Sequence, residues 1–183
     1  IIFHKYALME YGSFFGDGAQ RGPDFTAEAL HQVSVFMTDY KITKFREEKG
    51  IEPDDLESRM LGEQVKDELK VNRYDKKSNT VMLSEAQAYA FSKLTTYYTD
   101  LYIDKNTDDK FPPVGYIASR QEVADLSSFF FWGAWVCVTQ RPGSNYSYTH
   151  NWPFDPDAGN TPTSPVILWS VLGLLGFVLA CGL

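Results

Sequence analysis

Val166 to Leu183 reads VILWSVLGLLGFVLACGL, 18 residues without an ionisable side chain, in which Ser170 is the one clearly polar group. A helix needs about 20 apolar residues to cross the hydrocarbon core of a bilayer, and 18 or more uncharged ones make a candidate. Asp157 is the last ionisable group before this stretch. Between them, Thr161-Pro162-Thr163-Ser164-Pro165 offers capping hydroxyls and a proline suited to a first helical turn. Trp169 falls near the start, where an aromatic ring lies at the membrane interface. The competing reading is a helix buried in a soluble core. A chain that stops inside its most hydrophobic stretch is expected to be a piece of a longer one.

The other end agrees with that expectation. The chain starts without Met, shows no basic segment followed by an apolar core, and opens on Ile1-Ile2-Phe3, which suits the tail of an earlier span. Residues 1–10 are therefore assigned to the end of a preceding membrane helix or its linker. Residues 11–163 form a domain outside the bilayer, and 164–183 are the truncated transmembrane helix. About 160 residues suffice for one domain of ordinary size.

A formal net charge of −7 argues against nucleic acid as a partner, since that needs a basic face. It suits a domain on the outer side of a membrane, because Lys and Arg favour the inner loops. The two cysteines, Cys137 and Cys181, stand in apolar stretches and form no CxxC, so neither a zinc finger nor a redox pair is indicated. Small buried hydrophobes are the expectation for both.

Inward from the span, the elements are mainly helical. Gly12 to Pro23 carries four glycines and reads as an irregular turned loop. Thr26 to Lys49 repeats Leu30, Val33, Met37 and Tyr40 at helical spacing, and Gly50 closes it. Asp54 to Lys70 places Leu56, Met60, Leu61, Val65 and Leu69 on one side. Residues 71–83 read as a short hairpin. Ser84 with Gln87 is a capping box opening a helix to about Ile103, with Ala88, Phe91, Leu94, Tyr98 and Leu101 inward. Ser119 with Glu122 is another box, opening a helix that from Leu126 to Val138 is apolar almost all round. Such a helix is buried in protein or touches lipid. Residues 144–165 form an aromatic- and proline-bearing loop into the membrane.

Catalytic chemistry is not visible in these residues. His4, His31 and His150 are the only histidines and show no metal-ligand spacing. No GxSxG elbow is present. Gly16-Asp17-Gly18 resembles a phosphate turn only in part, since Arg21 stands where a third glycine would fall. The pairs Asp54-Asp55 and Asp108-Asp109 lack the ligand spacing of a calcium loop.

Longer motifs carry more. Tyr11-Gly12-Ser13-Phe14-Phe15-Gly16-Asp17-Gly18-Ala19 is followed by Gly22-Pro23-Asp24-Phe25-Thr26-Ala27-Glu28-Ala29-Leu30-His31. Asn72-Arg73-Tyr74-Asp75 and Phe129-Phe130-Phe131-Trp132-Gly133-Ala134-Trp135 come next in order. Arg141-Pro142-Gly143, Tyr146-Ser147-Tyr148-Thr149, Asn151-Trp152-Pro153 and Asn160-Thr161-Pro162-Thr163 complete the set. Together they resemble the front of quinol-dependent nitric oxide reductases, within the haem-copper oxidase superfamily. The resemblance implies a mainly α fold: a haem-less, cytochrome c-like extracytoplasmic domain with a small β-hairpin, followed by a transmembrane helix.

CxxCH precedes this run in related cytochrome proteins, and the aligned Cys, Cys and His positions fall here at Leu8, Tyr11 and Gly12. Without two thioethers and an axial histidine the domain holds no c-type haem, which leaves quinol from the membrane as the implied electron donor. The sequence departs from those relatives at Gln20, where they have Tyr, and at Arg21. In them the Gly and Tyr help hold a calcium near haem propionates. Here Gly18 still offers a carbonyl, while Gln20-Arg21 favours direct contact with a propionate. His150 replaces a smaller residue. Gly18, Gln20, Arg21 and Arg141 are thus the residues expected to meet a haem region in the rest of the chain.

The implied whole enzyme is a bacterial inner-membrane protein with its main domain on the periplasmic or extracellular side. It joins two NO to N2O and water with two b-type haems and a non-haem iron, none of them held by this piece. Its implied partners are membrane lipid, the rest of the same catalytic chain, and quinol. The divergent positions keep open a nitric oxide dismutase, turning NO into N2 and O2. A purely structural cap or docking module is the third reading.

Overall fold

The computed structural model describes residues 2–20, 22–104 and 111–182. Its helices start where the local chemistry permits. Asp24 caps α2 (Phe25–Lys49) by accepting from the N–H groups of Thr26 at 3.0 Å and Ala27 at 2.9 Å. Gly50 ends it in the left-handed region at φ 71°, its N–H on the Arg46 carbonyl. Helix α3 (Asp55–Lys70) begins with a reciprocal Asp54–Glu57 box, and α4 (Glu85–Thr99) with the expected Ser84–Gln87 box. The α4 helix runs on through a wider turn at Asp100–Asp104. A first short helix α1 (Ile2–Lys5), α5 (Arg120–Val138) and α6 (Ser164–Gly182) complete the helical set.

Two antiparallel hairpins accompany them rather than the single one expected. Strands β3 (Tyr74–Asp75) and β4 (Thr80–Val81) form the anticipated one. Strands β1 (Ser13–Phe14) and β2 (Asp17–Gly18) form the other, inside the glycine-rich segment that reads as irregular loop.

The core lies where α2, α4 and α5 meet, with α3 against α2 and α5. Its buried rows repeat every fourth residue: Phe25, Ala29, Val33 and Met37 on α2, then Ala86, Ala90, Leu94 and Tyr98 on α4. On α5 the row is Leu126, Phe130 and Ala134. Rows four apart form the ridges that seat into a neighbouring helix's grooves. Small residues in these rows let the helices approach, while Phe25 stacks on Phe130 with ring centres 5.0 Å apart and planes 4° off parallel. Phe3 of α1 and Leu8 of the following turn also enter this core.

Three expected details differ. Leu56 and Met60 on α3 are exposed, and only Val65 and Leu69 bury, because the helix leaves the core in its first half. Ala88 faces solvent, one position past the buried Ala86–Gln87 pair. Ser119 does accept from Glu122 N–H, at 3.3 Å, but Glu122 does not return the bond. Its carboxylate is taken by Lys5 Nζ at 2.5 Å and Tyr6 Oη at 2.6 Å, which tie the N-terminal turn to α5. The Lys5 ammonium, and then the Tyr6 hydroxyl, hold that carboxyl below the usual glutamate range.

Helix α6 has a mean hydropathy of 2.2 over its apolar window and buries nothing against the described chain. It is long and apolar enough to cross a membrane, and no described residue of the domain covers it.

Candidate functional site

The loop from Tyr11 to Asp24 closes on itself through three glycines. Gly12 is buried, and a Cβ there would lie 2.2 Å from the Pro23 carbonyl oxygen and 2.9 Å from the Phe25 ring. Gly18, at φ 137°, lies against the Gly12 carbonyl, where a Cβ would come within 2.4 Å of the oxygen. Gly22 crosses so near Tyr11 that a Cβ would be 1.5 Å from its carbonyl oxygen. The Ala19 N–H bridges the carbonyls of Met9 at 2.9 Å and Gly12 at 3.1 Å. The segment is a fixed turn rather than a free loop.

Asp24 is its pin. Besides capping α2, its carboxylate accepts from Ser13 Oγ and the Gly16 N–H, each at 2.7 Å. Partial burial pushes the carboxyl up, but the Ala27, Ser13, Gly16 and Thr26 bonds together bring it below its ordinary value of 3.8. A depressed folded value stabilises the fold above the ordinary value, and that contribution disappears as pH falls through the folded one. Asp24→Asn, which keeps a capping oxygen but no charge, is expected to lower stability by about 1 kcal/mol at pH 7. The gap between the two proteins should close below pH 3.8 in thermal unfolding followed across pH. A gap that persisted unchanged in acid would show that the charge is not what stabilises the turn.

Of the anticipated contact residues, Gly18 and Gln20 are exposed on this turn, and Arg21 lies outside the described residues. Arg141 sits elsewhere and is 2% exposed. Its guanidinium donates to three backbone carbonyls of the following loop: Nε to Ser147 at 2.9 Å, Nη1 to Pro153 at 2.7 Å, and Nη2 to His150. Asn160 Nδ2 donates to the carbonyls of His150 at 2.9 Å and Pro153 at 3.2 Å, so the loop is held from both sides. The Arg141 guanidinium is thus committed to this loop and not to the Gly18–Gln20 turn. His150 is exposed, its Nδ1 2.9 Å from Ser147 Oγ, and His31 is exposed on α2. Cys137 is half-buried on α5 rather than buried, and Cys181, on the apolar helix α6, is not covered by the described chain.

A second feature is not foreseen in the sequence. A cleft of about 850 Å³ opens between the β3–β4 hairpin, α5 and the loop before α6. Phe15, Trp132, Trp135 and Tyr148 supply its aromatic faces. Trp135 stacks on Tyr148 at 5.5 Å, and Lys76 Nζ meets Asp157 Oδ2 at 2.5 Å between hairpin and loop. The Trp132 and Trp135 spacing places both rings toward one side of α5, but the partner walls come from residues remote in sequence. Among the described residues no cluster of three or more His, Cys, Asp or Glu side chains could hold a metal ion.

Compared with known protein families, residues 1–154 match the one described as the cytochrome c-like domain of the nitric oxide reductase protein NorB. The chain belongs to this family. No curated protein matches it. Membership makes the chain part of an oxidoreductase, and α6 is consistent with the membrane attachment of such a protein. The observed architecture is that of a cytochrome c-like domain followed by a candidate transmembrane helix.

A c-type haem does not fit this member of the family. The two positions that would need thiols carry Leu8, fully buried, and Tyr11, whose ring packs 5.2 Å from that of Tyr116. Position 12, which would need the axial histidine, has no room for a single β-carbon. Below the turn the space is occupied by rings: Phe3, Phe25, Phe111, Phe130, Tyr98 and Tyr102. The Tyr98 and Tyr102 hydroxyls are buried without a hydrogen-bond partner, and burial raises both far above the usual phenol range. They stay neutral and act as aromatic filler.

Proposed function

We propose that this chain is the haem-free extracytoplasmic domain and following span of a quinol-dependent nitric oxide reductase. The domain itself is non-catalytic. What supports this reading is the closed approach at Gly12, which leaves no place for the axial ligand that electron entry through a bound cytochrome c haem would need. Electrons then reach the enzyme from a membrane quinol, and the domain serves as a cap over the catalytic part.

Residues 11–163 form that cap. Residues 1–10 lead in from an earlier span while lending Phe3 and Leu8 to the core, and 164–183 cross the membrane. Gly18 and Gln20 are exposed, and these two with Arg21 are the residues assigned to meet the haem-bearing part. Arg141 reaches it only through the loop it holds. The two b-type haems and the non-haem iron belong to other segments of the whole enzyme. They would carry the reaction of two NO, two electrons and two protons to N2O and water on the bacterial inner membrane.

The test is gas analysis on the full-length protein in membranes. NO consumption that requires a quinol, is not supported by reduced cytochrome c, and yields N2O is the expected result. O2 release from NO without any donor would replace this reading by dismutation. Turnover with cytochrome c alone would overturn the quinol assignment.

A further inference from the structure

The cleft beside α5 has chemically distinctive surroundings. Its aromatic mouth is exposed: Phe15 is 45% and Trp132 48% accessible, and outside its lining, on the loop that supplies Asp157 and Ala158, Trp152 is 66% and Phe154 50% accessible. Water-facing domains rarely leave so many large rings uncovered together. Trp and Tyr are enriched at the headgroup level of membranes, where an amphipathic ring has one wet and one apolar side. Ala158 lines the cleft, and only residues 159–163 separate it from the first residue of α6. Fully extended, that connection spans at most about 22 Å. The cleft therefore lies within reach of the headgroup layer.

Charge narrows the occupant. Lys76 and Asp157 stand side by side at the cleft, with side chains 65% and 59% exposed. An anionic headgroup would gain Lys76 but meet Asp157, and a cationic one the reverse. A headgroup with both charges satisfies both residues, and an exposed ion pair loses little when it opens to admit one. The apolar walls suit a hydrocarbon chain, and the volume lies within the range of ordinary ligand clefts.

We propose that this cleft holds one zwitterionic phospholipid, its phosphate on Lys76, its primary ammonium on Asp157, and an acyl chain against Trp132 and Trp135. The proposal rests on the reading of α6 as a membrane span.

The test uses the full-length protein reconstituted with a trace of phosphatidylethanolamine carrying a photoactivatable acyl chain, or with the matching phosphatidylglycerol. After irradiation the labelled peptides are mapped. Labelling of the Trp132–Val136 segment is expected, with the ethanolamine lipid preferred about fivefold, the scale of one charge-assisted hydrogen bond at a half-exposed site. Lys76→Gln with Asp157→Asn should remove that preference while leaving the fold, since both residues are on the surface. Labelling of α6 by both lipids is the internal control. An α6 that labels while the Trp132–Val136 segment does not overturns the lipid site and leaves the membrane reading intact. Equal labelling by the two headgroups in the unaltered protein also overturns it. Failure of α6 to label would instead overturn the span on which the proposal depends.

Discussion

Writing the haem-attachment motif back into this chain, by Leu8→Cys, Tyr11→Cys and Gly12→His together, is expected to unfold the domain rather than to yield a c-type cytochrome. The obstacle is Gly12. Its missing side chain is where the Pro23 carbonyl oxygen sits, 2.2 Å from an ideal Cβ, and a backbone oxygen cannot swing aside as a side chain can. That oxygen is itself committed to the Ser13 N–H at 3.0 Å. Moving it would open the turn that Asp24 pins and lift Phe25 from its stack on Phe130. Gly12→Ala alone should therefore cost about 4 kcal/mol or more, the range reserved for changes that a site cannot relax around.

Gly16→Ala is the control. Gly16 has a positive φ, 79°, but nothing lies within 4 Å of its Cβ, so about 1 kcal/mol is expected from backbone strain alone. Thermal unfolding in detergent and limited proteolysis measure both. A folded triple variant that stains for covalent haem would refute the geometry at Gly12 and, with it, the support for quinol as donor.

The second large effect belongs to Arg141. Arg141→Ala would leave the Ser147 carbonyl without its guanidinium donor and deprive the His150 and Pro153 carbonyls of a charged donor each. Asn160 still reaches the latter two, so the expected loss is about 3 kcal/mol rather than the sum of three bonds. Arg141→Lys should recover little, because one ammonium on a flexible stem cannot replace a planar fork aimed at three carbonyls. The loss should show as new proteolytic cleavage within residues 144–160 at temperatures where the helices stay intact. Full rescue by lysine would mean that charge, and not the shape of the donor, holds the loop.

These two residues also mark the limit of what the chain discloses before it folds. Helix starts are legible because their signals are local: Asp24, Asp54, Ser84 and Ser119 each cap the turn that follows them within three residues. The apolar span is legible for the same reason, since burial in lipid demands only composition and length. The resemblance to nitric oxide reductases, read from motifs in order along the chain, is met at the level of the NorB cytochrome c-like domain by the match over residues 1–154. Less is legible at the site. Arg141 stands out by its motif, but its guanidinium's partners lie six to twelve residues on, in a loop without periodicity.

Glu122 shows the same limit on a longer scale. The Ser119–Glu122 spacing predicts a reciprocal box, and half of it forms. The carboxylate instead goes to Lys5 and Tyr6, more than a hundred residues away, because a cation and a phenol offer it stronger bonds than one exposed backbone N–H. Leu56 and Met60 repeat at a helical interval like any buried pair, yet both stay exposed. Periodicity tells which side of a helix is apolar but not how far along its length another element covers that side.

By itself, then, the sequence determined the helices, their caps, the apolar span and the absence of haem-attaching thiols, all of which depend on residues near one another in the chain. Only the tertiary structure decided that Gly12 has no room for an axial ligand. It alone showed that Arg141 holds a loop from inside, and that Trp132, Trp135, Lys76 and Asp157 share one cleft. Each of these is a relation between segments that meet only once the helices have packed, and the free energy of such a contact belongs to both partners at once.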